Sequence, residues 1–215
     1  MSADETLMWD EVRDIGSLLH ELDDADFDRP SLCEGWKVRD VLGHMGLGHT
    51  TPMLAMTGRM ARYGFNVTKA SFNESKSLFS ESTPDEIRRF WDDVMVAGQP
   101  RRGISKMIPT SAGFLDHLVH NEDIRRPTGH RRQVPEDRLR RALSLVRTEG
   151  SPMWSPKKKV SGLRLQATDI DWSEGEGPVV SGPGESIVMA ASGRRAALGE
   201  LEGDGVDRLR ARIGA

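Results

Sequence analysis

"SLCEGWKVRDVLGHMGLGH", Ser31–His49, carries a cysteine, a tryptophan and two histidines into and along one amphipathic stretch. From Lys37 onward, Val38, Val41, Leu42 and Met45 recur at the spacing of one helix face. His44 stands beside that stripe. An imidazole in this position is either a packed core group or a metal ligand whose partners lie elsewhere in the chain. Gly43, Gly46 and Gly48 lack side chains that would keep a neighbouring helix or a ligand at a distance. The pattern predicts a helix from Lys37 past His49 towards Arg62, kinked at Pro52.

A second stretch supplies the partners. "PTSAGFLDHLVHNEDIRRPTG", Pro109–Gly129, predicts a helix capped by Thr110 or Ser111 and stopped before Pro127 and Gly129. Asp116 and His120 are four residues apart, so they project from one side, about 40° apart around the axis. Phe114, Leu115, Leu118 and Val119 form the adjoining apolar stripe. If the two helices pack on these faces, His44, Asp116 and His120 converge inside a bundle, where metal sites are built from facing helices. Two imidazoles and a carboxylate suit Zn²⁺ or another borderline divalent ion, with a fourth position open. Asp123 or Glu122 is placed to hydrogen-bond a ligand histidine from behind. His117 and His120, three apart, form a rival pair that spacing leaves open. His20 and His130 have no partner pattern and read as surface residues.

The rest of the chain frames these two helices. Leu7, Met8, Val12, Ile15, Leu18, Leu19 and Leu22 predict a first helix over about 3–22, ended by the acidic turn before Pro30. A short helix is expected over about 68–80. "STPDEIRRFWDDVMVAG" predicts another, with Thr83 as cap, Pro84 first inside, Glu86 closing a capping box and Gly98 ending it. A further short helix starts at Pro135. After Gly150, "SPMWSPKKK" reads as a polar linker or hairpin tip. Leu163, Leu165 and Ala167 alternate as a half-buried strand, and Val179–Val180 form a second short one. Helices follow from about Glu185 and again near the end. The expectation is mainly α: a helical bundle over 1–150 and a small α+β domain over 151–215.

Composition excludes several function classes. Thirty basic and thirty-three acidic residues leave a net charge of −3, so no global field recruits nucleic acid. "PKKK" lacks the interleaved aromatic residues of a nucleic-acid surface. A single cysteine forms no internal disulfide, which fits a reducing cytosol. The acidic start has no secretory pattern, and no apolar run reaches the length of a membrane span. A cytoplasmic protein, monomeric or homodimeric, is expected.

Read together, "CEGWKVRDVLGHM", "DHLVHNEDIRRPTG" and the tail "LQATDIDWSEGEGPVVSGPGESIVMAASGRRAALGELEGDGVDRLRARI" resemble the mycothiol-dependent maleylpyruvate isomerase-like family, within the DinB-like metal-binding four-helix bundles. The resemblance runs from about Leu7 to Ile213. It implies a zinc-type site whose ligands fall on His44, Asp116 and His120, with aspartate where the family more often has glutamate. It also implies mycothiol as thiol cosubstrate and a small electrophile as substrate. The enzyme expected is an isomerase or thiol S-transferase. A metal-dependent hydrolase using activated water, and a non-catalytic metal-binding sensor or stress protein, are the competing readings. Catalytic residues beyond the metal set are not identified; Arg125 and Arg194 are weak candidates for binding an anion or a substrate carboxylate. Cys33 is placed by the resemblance in the structural turn before Trp36, with no base at obvious spacing. Trp36 is expected to fill the junction between that turn and the bundle core.

Overall fold

α1, Ala3–Glu21, is capped by the Ser2 side chain, which accepts from the Glu5 N–H, and it starts on Asp4 and Glu5. It turns Met8, Trp9, Val12, Ile15, Leu18 and Leu19 inward. At its far end Arg88 donates to the Leu19 and Leu22 carbonyls at 2.8 and 2.9 Å, meeting acceptors that the helix itself leaves open. A computed structural model of the protein describes residues 1–97, 103–151 and 154–214.

The expected long second helix is two. α2 spans Val38–Thr50 and α3 spans Met53–Arg62, because Thr51, preceding Pro52, is extended and Pro52 begins a new helix rather than kinking the old one. α4, Val67–Leu78, follows with Asn66 as its cap. α5, Pro84–Phe90, has the capping box of Thr83 and Glu86, with Pro84 first inside. It runs on as a π-helix over Trp91–Val96. Gly98, the expected stop, lies outside the described residues.

α6, Thr110–Thr128, begins one residue earlier than a Thr110 cap would allow, and it takes Pro127 inside its last turn before Gly129 closes it at φ +81°. Pro127 has no N–H to give the Asp123 carbonyl four residues back. The Leu32 N–H donates to that carbonyl instead, at 3.2 Å. A missing helix bond thereby fastens the turn before α2 onto α6.

Residues Met1–Arg131 form one compact unit. In it α1 lies along α6, and α2 packs on both α4 and α6. Gly43 and Gly46 permit that approach. A Cβ at 43 would lie 2.2 Å from the Ser75 carbonyl oxygen, and one at 46 would meet Leu78 and Phe90 at 3.0–3.3 Å; at Gly48 nothing lies within 4 Å. Trp91 fills the space beside Gly16 and donates its indole N–H to the Val12 carbonyl at 2.9 Å.

The second unit begins at Arg132. α7, Glu136–Thr148, belongs to it, so this division precedes the one expected at 150 by a whole helix. The reason is α7's buried face of Leu139, Ala142, Leu143 and Val146, which packs on α8 and α9, with Leu139 against Gly184. Where a linker was expected, α8 forms a helical turn over Pro156–Val160, while Pro152 and Met153 lie outside the described residues. β1, Arg164–Ala167, pairs antiparallel with β2, Ser173–Glu174, and parallel with β3, Val179–Gly182. The two-residue β2 is too short to show alternation in the sequence. α9, Gly184–Ala191, breaks at Gly193 and passes into a 3-10 helix over Arg195–Glu200, and α10 spans Val206–Ile213. Among the described residues no helix is long and apolar enough to cross a membrane.

Candidate functional site

α6 is polar where a core helix is usually apolar: His117, His120, Asn121, Asp123 and Arg125 are all buried. Buried polar groups need partners, and theirs divide the helix into sides. Asn121 donates to Glu11 at 2.8 Å and accepts from Arg125 Nε at 2.9 Å. Arg125 also donates to the His130 and Asp14 carbonyls at 3.2 and 3.3 Å. This side ties α6 to α1. It occupies Arg125 in packing, which is why the expected anion-binding role finds no support in its geometry.

The other side meets α2. His44, Asp116 and His120 each offer a ligand atom, and these atoms lie within 4.8 Å of one another. The His120 Nε2 is 3.4 Å from an Asp116 oxygen, and the His44 and His120 rings meet edge to face with centroids 5.1 Å apart. Both imidazoles are held from behind. His120 Nδ1 is 2.9 Å from Asp123 Oδ2, the residue expected for this task along with Glu122. His44 Nδ1 is 3.3 Å from the Ser75 hydroxyl and 3.4 Å from that of Ser71, both on α4. Donation of Nδ1–H to these oxygens leaves Nε2 of each ring as the ligand position, His120 giving up its Nε2 proton when it ligates.

Charge is balanced inside the cluster. Burial works against both ionised forms, but the Asp116 carboxylate and the His120 imidazolium stabilise each other across their hydrogen bond. Asp116 is therefore held well below the usual carboxylate range, with His44 and His117 adding to the effect. His120 is pushed well above the ordinary imidazole value, with help from Asp123 and Cys33. His120 is enclosed at 8% side-chain exposure, whereas Asp116 keeps 40%, so the cluster opens to solvent on the aspartate side.

Two more side chains border the cluster, Cys33 and Trp36. Cys33 lies in the turn that Leu32 fastens to α6, and its Sγ donates to Asp123 Oδ2 at 3.1 Å and stands 3.8 Å from His120 Nδ1. Cys33, His120 and Asp123 form a second group of convergent ligand atoms. No base lies at obvious spacing from Cys33 because the contact is made across the fold. Trp36 packs its indole against His44, with centroids 5.3 Å apart. His117 turns away from the cluster: it donates Nδ1–H to the Gly113 carbonyl at 2.7 Å and meets His49 through Nε2 at 3.0 Å. Burial lowers its pKa, against the opposing charge of Asp116.

The remaining candidates lie elsewhere. His20 makes an exposed pair with Asp92 at 3.0 Å, and His130 turns back to the Thr128 carbonyl. Arg194, in the second unit, donates to the Ser192 carbonyl at 3.0 Å.

The profile of the mycothiol maleylpyruvate isomerase N-terminal domain matches residues 8–100, a segment that contains His44 but neither Asp116 nor His120. Among solved structures, the mycothiol-dependent maleylpyruvate isomerase is similar in fold, at 19% identity and a TM-score of 0.59, over 94% of this chain and 91% of that one. A histidine-to-alanine mutant of that isomerase matches at 18% identity with the same TM-score and the same coverage. No curated protein matches the chain.

Proposed function

We propose, on the premise that residues 8–100 belong to the mycothiol maleylpyruvate isomerase N-terminal domain family, that the protein is a metal-dependent enzyme. It uses mycothiol to isomerise, or to transfer the thiol onto, a small electrophile. The observation that carries this reading is the convergence of His44, Asp116 and His120 ligand atoms within 4.8 Å, each imidazole anchored through its other nitrogen.

The donor set fits a divalent ion of the zinc type: two neutral nitrogens, one carboxylate oxygen and an open side towards solvent. Bound there, such an ion lowers the pKa of a thiol or a water and supplies a nucleophile near neutral pH. The chain's own residues prepare that chemistry. Asp123 holds the His120 tautomer and increases its basicity, while the α4 serines set the His44 ring. Asp116, ionised and partly exposed, offsets one positive charge at the open side. The pairing of His117 with His49 favours Asp116 over His117 as the third ligand.

The test joins elemental analysis to an assay. The purified protein should carry about one equivalent of divalent metal. His44→Ala and His120→Ala should lose it while melting cooperatively, and His117→Ala should keep it. A panel of electrophiles is then assayed with and without mycothiol. Turnover that requires the thiol, with a thiol adduct or isomerised product by mass spectrometry, supports the proposal. Turnover without any thiol would assign a hydrolase instead, and metal-binding without turnover a sensor.

A further inference from the structure

Trp36 is held by its backbone and left unsatisfied at its side chain. Its N–H donates to the Cys33 carbonyl, and its carbonyl accepts from both the Ser31 N–H and the Ser31 hydroxyl, each at 2.9 Å. Gly35, at φ +77°, turns the chain so that the indole meets His44. Yet Trp36 Nε1 is buried and has no hydrogen-bond partner among the described residues. The contrast is with Trp91, buried deeper, whose N–H reaches the Val12 carbonyl. A buried indole N–H ordinarily finds an acceptor, and leaving it unmet is costly. Beside the indole stands Phe72, 37% exposed, with ring centroids 6.2 Å apart, and a Cβ on Gly35 would meet that ring at 3.3 Å.

We infer that the Trp36 indole N–H is a ligand-binding donor. It takes a carboxylate or carbonyl oxygen of the organic molecule seated beside His44, and the Phe72 ring yields when that molecule enters. The inference rests on the metal reading above, because the metal cluster is what seats the ligand's head group. The position then discriminates between ligands that share a thiol and differ in a nearby oxygen acceptor.

The experiment titrates the zinc-loaded full chain by calorimetry with mercaptoacetate and, separately, with ethanethiol, which lacks the carboxylate. Trp36→Phe keeps a ring and removes the donor. It should weaken mercaptoacetate about tenfold, leave ethanethiol unchanged, and melt no lower than the wild type, since an unmet donor is gone. Equal loss for both probes makes Trp36 a packing residue and overturns the inference; so does no loss for either. Wild-type protein that takes up no zinc overturns the metal reading itself, a result visible before any thiol is added. Should Trp36→Phe fail to fold, Trp36→Leu replaces it under the same two probes, and a folded Leu variant that still prefers mercaptoacetate as the wild type does overturns the inference.

Discussion

Gly43→Ala and Gly48→Ala are the same substitution in the same helix, and the structure assigns them opposite effects. At Gly48 an added Cβ meets nothing within 4 Å. Only the helix-forming advantage of alanine remains, about 0.5–1 kcal/mol of added stability. At Gly43 the Cβ would stand 2.2 Å from the Ser75 carbonyl oxygen, a backbone atom that no rotamer change can move. α2 and α4 must separate by about 1 Å, an overpacking that costs about 1–3 kcal/mol. The helix gain offsets part of it, so a net loss of about 1–2 kcal/mol is expected for a clash with rigid backbone. In a chain of this size that lowers the melting midpoint by about 2–8 °C. The separation also withdraws Ser75 from His44, now 3.3 Å away, so zinc affinity should fall about tenfold as that orienting partner is lost. Thermal melts of the metal-free variants, and chelator competition on the loaded ones, read the two effects separately. A Gly43→Ala protein that melts with Gly48→Ala or above the wild type would refute the close approach of α2 and α4 from which the argument starts.

Asp123→Asn should weaken zinc by about 10–100-fold, since the amide cannot support the His120 tautomer as a carboxylate does; chelator competition measures it, and unchanged affinity counts against Asp123 as the orienting group. Because the folded pKa of His120 is raised, the metal-free protein gains stability from its imidazolium below the unfolded value of about 6.5 and loses it as pH rises through the folded value. Zinc uptake at a pH between those two values should therefore release the His120 proton, seen as a dependence of the calorimetric heat on buffer ionisation enthalpy; no such dependence would contradict the ion pair with Asp116. Pro127→Ala gives α6 an N–H that competes for the Asp123 carbonyl, so hydrogen exchange at the Leu32 amide should quicken while α6 stays helical.

Local signals were legible wherever the chemistry is local. The capping box of Thr83 and Glu86, the inward stripe of α1 and the shared face of Asp116 and His120 depend on neighbours within a turn, and each appears as its spacing predicts. Both prolines were read as interrupting a helix, and neither acts as expected. Pro52 separates two helices rather than bending one, and Pro127 fits inside α6 because Leu32 accepts the role of donor that the ring cannot fill.

By itself the sequence determined the helices, the face each turns inward and the types of side chain available for a metal cluster, because hydrophobic period and capping act within one element. Only tertiary structure decided which faces meet and what stands behind them. Ser71 and Ser75 reach His44, Cys33 reaches Asp123, and His117 finds His49 rather than the cluster. These pairings join residues far apart in the chain, and their geometry depends on how closely α2, α4 and α6 approach. That approach is set by a bare Gly43 against one carbonyl and by an amide that Pro127 leaves room for.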